Sequence, residues 1–296
     1  MTSEWSVNRL GDMTGTRVIV TGATNGVGLA TATALARAGA HVILAVRNLE
    51  LGAQRAAAMG GDTEVVKLDL ADQASVRAFP GLVDGEVDIL VNNAGLVAQH
   101  RSDTVDGFEM TLGTNFLGPF ALTNLLFSRV RSKIVNVGSD AHKRASIAFD
   151  DPHLRTRKWS AFPAYARSKL AVMLWGLELD RRLRESGSPV STYLTHPGWV
   201  ASNLANVSDT PIMSAFNSVA TAAANRIGND IDAGAAPTLY CLTEPIPPGS
   251  YVGIDGPFGF KGGPTLSGRT ANACDYADAR RLWEFAERET DTALAL

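Results

Sequence analysis

The chain has 296 residues, 45 % of them apolar, and its 27 Lys and Arg against 30 Asp and Glu leave a net charge of -3. That length and composition suit a folded globular protein with an ample core, and the near-balance of charge offers no broad attraction for nucleic acid or an anionic membrane. The two cysteines, Cys241 and Cys274, are too few for a disulfide framework and stand in no metal-ligand spacing, so a reducing, cytoplasmic setting and no bound metal are expected.

At the N-terminus Glu4, Arg9 and Asp12 fall where a signal peptide would need an apolar run, and no uncharged stretch is long enough to cross a bilayer. Neither export nor a membrane span is expected. β-branched runs then alternate with Ala/Leu-rich stretches. Strands are predicted at Arg17–Thr21, His41–Val46, 64–68, 87–91, 133–137 and Ser191–Thr195, with helices such as 27–38, stopped by Gly39, and Ala161–Glu185, stopped near Gly187. This order predicts an α/β fold: a single-domain, Rossmann-type, doubly wound parallel sheet with helices on both faces, spanning 1–296. The Gly- and Pro-dense stretch 245–268 reads as loops around a site.

The first strand runs directly into Thr21-Gly22-Ala23-Thr24-Asn25-Gly26-Val27-Gly28, with helix-forming residues behind it. Backbone N–H groups at such a helix start can hold a diphosphate, and glycines let it approach without a Cβ in the way. The second strand ends in Val46-Arg47-Asn48, where a dinucleotide fold normally offers a carboxylate to the adenosine ribose. A guanidinium there can pair with a 2′-phosphate, so NADP(H) is favoured and NAD(H) stays open, a merely solvated Arg47 being the alternative.

Further along stand Asp69-Leu70, Asn92-Asn93-Ala94-Gly95, Asn115, Ser139, Tyr165-Ala166-Arg167-Ser168-Lys169 and Pro197-Gly198. On these the chain resembles the short-chain dehydrogenase/reductase family over nearly its whole length. The stretches 115–120 and 134–139, His196-Pro197-Gly198-Trp199-Val200 and Arg281-Leu282-Trp283-Glu284 are similar to the retinol-dehydrogenase-like branch. The resemblance implies an oxidoreductase acting on carbonyl or alcohol groups. It implies cofactor contacts at Gly22, Thr24, Asn25, Gly26, Val27, Gly28, Arg47, Asp69, Leu70, Asn93, Ala94, Gly95, Tyr165, Lys169, Pro197, Gly198, Val200 and Ser202. It also implies that Lys169 reaches the nicotinamide ribose, and that Asn115 helps position Lys169 and a proton-relay water. One departure stands out: Gly138-Ser139 replaces the two adjacent serines common in that branch, so retinoid activity is not carried over.

Tyr165 and Lys169 lie four apart and share a helix face, where an ammonium is expected to favour tyrosinate and bring the phenol nearer neutral pH. Tyr165 is then the general acid for reduction, and Ser139 would hold the substrate oxygen beside it. A catalytically silent NADP sensor or scaffold is the rival reading. Ser139 and Tyr165 are 26 positions apart, so 140–163 must loop out and return. Its Lys143, Arg144, Arg155, Arg157 and Lys158 could favour a substrate with a remote acidic group, or be a solvated surface. Leu204, Pro211, Met213, Phe216 and Val219, within 204–231, suit an apolar lid over a mainly apolar substrate, or one packed helix. Leu170, Met173, Leu174 and Leu177 could form a homodimer face or lie inside the domain.

Overall fold

A computed structural model describes residues 5–198, 231–256 and 262–296. The expected 204–231 lid, with Leu204, Pro211, Met213, Phe216 and Val219, lies outside the described residues except for its last position.

Among the described residues eight strands form one sheet in the order β3-β2-β1-β4-β5-β6-β7-β8, parallel throughout except for the antiparallel β7/β8 pair. They are β1 (Arg17–Thr21), β2 (His41–Val46), β3 (Thr63–Lys67), β4 (Val87–Asn92), β5 (Val130–Val137), β6 (Ser191–Thr195), β7 (Tyr251–Ile254) and β8 (Pro264–Leu266). The strand order reverses between β1 and β4, and this is the place where open α/β sheets form a crevice at the strand C-termini. Successive side chains of β1 enter different cores: Ile19 joins Ile43, Leu90 and Ile134 on one face, while Val18 and Val20 join Val42, Leu44 and Val91 on the other. Burial of both faces explains why these strands read as apolar runs without alternation.

Helices α1 (Gly26–Arg37), α2 (Leu49–Met59) and α3 (Gln73–Ala78) follow the first three strands. The helix α4 begins at Met110–Leu112, passes through a π-helical turn at Gly113–Leu117 and continues as Gly118–Leu126. After β5 comes α5 (Ala161–Glu185), at the bounds expected from the sequence, and α6 (Ile231–Thr243) precedes β7. The last helix, α7 (Tyr276–Thr290), is capped by the Asp275 carboxylate, which accepts from the Ala277 and Asp278 N–H groups.

The structure departs from expectation in two places. The stretch 245–268 is more than loop, because β7 and β8 lie in it; four residues, Tyr-Val-Gly-Ile, become a strand by pairing Tyr251 and Val252 with Leu194 and Thr195 of β6. Leu170, Met173, Leu174 and Leu177 form no free dimer face. All four are buried in the same core as Leu282 and Trp283 of α7, which packs along α5. Among the described residues no helix is long and apolar enough to cross a membrane.

Candidate active site

The glycine loop is held from behind. Thr21 Oγ1 accepts from the Asn93 and Ala94 N–H groups, each at 3.0 Å, and Asn93 Nδ2 donates to the Thr21 carbonyl at 2.9 Å. The stretch Asn93-Ala94-Gly95 after β4 is thereby locked to the end of β1. A Cβ on Gly28 would collide with Asn93 Nδ2 and stand 2.6 Å from the Gly22 carbonyl oxygen, so these chains touch only because glycine occupies that position. Gly22 and Gly26 both have positive φ, 69° and 56°. Asn25, Gly26, Val27 and Gly28 bring the chain into α1, whose Asn25 cap makes no side-chain bond. The first-turn N–H groups have no intrahelical acceptor and, among the described residues, are open to an anion.

Around this loop stand three cations. Arg47 is exposed at the end of β2, and among the described residues its guanidinium makes no hydrogen bond or ion pair. Lys67, at the end of the neighbouring β3, donates to the Arg47 carbonyl at 2.7 Å, and Arg55 of α2 donates from Nε to the Thr24 carbonyl at 3.1 Å. The sequence reading missed Lys67 and Arg55. The register of β2 on β3, which sets Lys67 opposite Val46, is the fact that would have found Lys67. Asp69 is half-buried and its carboxylate accepts from the Ala71 N–H at 3.0 Å. Leu70, expected at the cofactor, turns its side chain into the core, and its carbonyl abuts Gly118 so closely that no Cβ would fit.

The second half of the site lies at the ends of β5 and β6. The Tyr165 hydroxyl comes to lie beside the Ser139 side chain, bringing together two residues 26 positions apart. Ser139 Oγ also accepts from the Ala141 N–H at 3.2 Å. Lys169, one turn on from Tyr165, is buried, donates to the Val137 carbonyl at 2.8 Å and lies 5.8 Å from the Tyr165 ring centroid. A Cβ on Gly95 would come within 3.4 Å of Lys169 Nζ and 3.3 Å of Asn115 Oδ1, so both polar groups border the space over that glycine. Asn115 sits in the π-turn of α4. Its Nδ2 donates to the Leu96 carbonyl and to Ser168 Oγ, each at 2.9 Å, and its Oδ1 accepts from the Leu96 N–H at 2.8 Å. The described partners of Asn115 are therefore Leu96 and Ser168, not Lys169; Ser168 in turn donates to the Tyr165 carbonyl. π-Turns recur at functional positions because the extra residue redirects a side chain.

The electrostatics correct one expectation. Burial holds the Tyr165 hydroxyl above its ordinary value, with the neighbouring Ser139 side chain pulling the other way, whereas a lowered phenol was expected from the neighbouring ammonium. Burial also pushes the Lys169 ammonium down to about 8. Desolvation disfavours both charged forms and is the leading cause of both shifts.

Beyond β6, His196 is buried and Pro197 is half-exposed, and Gly198 has φ 71°. Val200 and Ser202 lie outside the described residues, as does Trp199. The excursion 140–163 does loop out and return, but its cations are mostly engaged within the chain. Lys143 pairs with Asp140 at 2.8 Å and Arg157 with Asp150 at 2.7 Å, while Arg155 donates to the Gly107 carbonyl at 3.1 Å. Asp151 accepts from three backbone N–H groups and the Thr156 hydroxyl, which outweigh its burial and hold its carboxyl far below the usual range. These pairings favour a structural excursion over a docking surface for an acidic substrate.

Residues 16–211 match the family model described as short chain dehydrogenase. The chain is 44 % identical over 196 residues to Retinol dehydrogenase 13 of Homo sapiens, an alignment covering 62 % of this chain and 59 % of that protein. It thus spans about three fifths of the length of the curated relatives it matches. A crystal structure of an uncharacterised protein from Mycobacterium Paratuberculosis superposes with a TM-score of 0.86 at 40 % identity, covering 99 % of this chain and 100 % of the other. A candidate NAD(P)-dependent gluconate 5-dehydrogenase from Beutenbergia cavernae, solved with bound NADP at low occupancy, gives 0.58 at 26 % identity, covering 77 % and 90 %. The likeness to the retinol-dehydrogenase-like branch, read from the motifs, is borne out.

Proposed function

The chain belongs to the short chain dehydrogenase family, and on that premise we propose that it moves a hydride between a nicotinamide cofactor, NADP(H) in preference to NAD(H), and the carbonyl or alcohol carbon of a small, mainly apolar molecule. The observation that carries this reading is the meeting of Ser139 and Tyr165, with Lys169 one turn away, at the same C-terminal end of the parallel strands as the glycine loop. The chain's own groups fit the cofactor. The open N–H groups of α1 suit a diphosphate, and Arg47, with Lys67 beside it, suits a 2′-phosphate; the gluconate 5-dehydrogenase-like structure was solved with NADP bound.

A bound nicotinamide supplies the hydride. The remaining steps fall to the protein. Ser139 donates to the substrate oxygen and orients its carbon; Tyr165 gives that oxygen the hydroxyl proton as the hydride arrives, and the Lys169 ammonium favours the phenolate left behind. In the alcohol direction the same phenolate takes the proton back. One domain carrying both the cofactor and the substrate sites is part of this reading.

Tyr165→Phe removes the proton donor and keeps the ring. NADPH should still bind, as followed by its fluorescence, while turnover of an aldehyde and ketone panel drops by roughly 10² or more. Near-normal turnover would end the assignment of Tyr165. NADPH binding by the unaltered chain with no turnover of any carbonyl in the panel would favour the catalytically silent binder.

A further inference from the structure

Beneath Ser139 lies a set of polar side chains that hydride transfer does not itself require. The Ser139 carbonyl accepts twice from His142, from its N–H at 3.1 Å and from its ring Nδ1 at 2.7 Å. A carbonyl only accepts, so Nδ1 carries the proton, and Nε2 is left as a buried acceptor with no partner among the described residues. The next residue, Asp140, accepts from the Tyr251 hydroxyl at 3.0 Å on Oδ1 and from Lys143 at 2.8 Å on Oδ2. His196 Nε2 stands 3.6 Å from the same Oδ1. Because His196 Nδ1 accepts from the Gly198 N–H at 3.2 Å, the proton of the neutral ring is on Nε2, facing the carboxylate. The Tyr251 ring packs against both imidazoles, with centroid distances of 5.6 Å to His142 and 5.3 Å to His196. Room for the His196 ring comes from Gly253, where a Cβ would collide with Nε2.

These contacts join the ends of β5 and β6 to β7 through one carboxylate. We propose that Asp140, Tyr251 and His196 form a brace of positioning residues: it sets Ser139 against Tyr165 and, through the His196–Gly198 bond, holds the Pro197–Gly198 turn in register with them. Apolar side chains could join three strand ends with no carboxylate to desolvate. The polar set differs in direction, since its bonds end on the two segments that flank the reacting atoms. Catalysis is sensitive to displacements of well under 1 Å, so such a brace acts on rate before it acts on folding. The inference rests on the reading of Ser139 as the substrate-oxygen donor.

Tyr251→Phe deletes the hydroxyl and keeps the ring; Asp140→Asn keeps the shape and removes the charge; Ser139→Ala is the reference. With NADPH and 4-nitrobenzaldehyde as probe, both brace variants should lower kcat by about tenfold or more per NADPH-binding site, with NADPH affinity within about twofold of the parent. The primary isotope effect with deuterated NADPH should rise, since a misplaced carbonyl slows the hydride step, a change that mere loss of folded protein does not produce. A crystal structure of Tyr251→Phe should show Ser139 Oγ displaced from the Tyr165 hydroxyl by about 0.5 Å or more. An unmoved Ser139, or an unchanged kcat and isotope effect in both variants, overturns the brace. If Ser139→Ala alone retains turnover, the failure lies with the Ser139 reading; if it is inactive while both brace variants work normally, only the brace is wrong.

Discussion

Lys169 crosses the core to end on the Val137 carbonyl, and burial draws its ammonium down to about 8 from an ordinary 10.5. Between those values the unfolded chain holds the proton that the folded chain has released, so folding stability rises with pH across that window, and the cost of burying the charge is present in full below about 8. Lys169→Met has no such group. The melting temperature of the parent should therefore gain on that of Lys169→Met between pH 7.5 and pH 9.5, and a constant difference would show that the lysine is not desolvated. Arg47 is governed by long-range charge and not by burial. Arg47→Asp exchanges attraction of a 2′-phosphate for repulsion, so the NADPH dissociation constant should rise by about tenfold or more while that of NADH falls. Lys67 remains beside it and limits the change; an unaltered ratio of the two constants would mark Arg47 as merely solvated.

At the scale of elements, the glycine loop separates two roles of one residue type. Gly26 has positive φ and nothing within 4 Å of a modest side chain, so Gly26→Ala meets only backbone strain of about 1–2 kcal/mol. A methyl on Gly28 meets Asn93 and the Gly22 carbonyl at once, and the loop has to open. Gly28→Ala should therefore weaken NADPH binding by about tenfold or more and lower stability further than Gly26→Ala does, as read by fluorescence titration and thermal melts. The strand–turn–helix around this loop was legible because its cues are local: a β-branched run, glycine spacing and an Ala-rich helix. The α5 bounds were legible for the same reason. β7 was not, since nothing in Tyr-Val-Gly-Ile outweighs the surrounding Pro and Gly until β6 supplies its edge.

Across the whole molecule, α7 closes the face that α4 and α5 would otherwise expose. Trp283 is buried with its ring 5.0 Å from that of Phe120, and the Arg182 guanidinium lies 4.4 Å over it. Trp283→Ala should cost about 3–5 kcal/mol in chemical denaturation, with the folded fraction keeping its NADPH affinity because the glycine loop lies on other elements. A loss of affinity matching the loss of stability would show that the two ends of the sheet are coupled. The sequence by itself determined what depends on near neighbours: the alternation of strands and helices, the helix-start glycines, and a tyrosine and lysine on one helix face. Only the tertiary structure decided that Ser139 meets Tyr165, that the cations of 140–163 are mostly spent within the chain, that Lys67 joins Arg47, and that burial moves Tyr165 and Lys169 in opposite directions. Those outcomes are sums over contacts between residues distant in the chain, and desolvation in particular has no value until the surrounding core has closed.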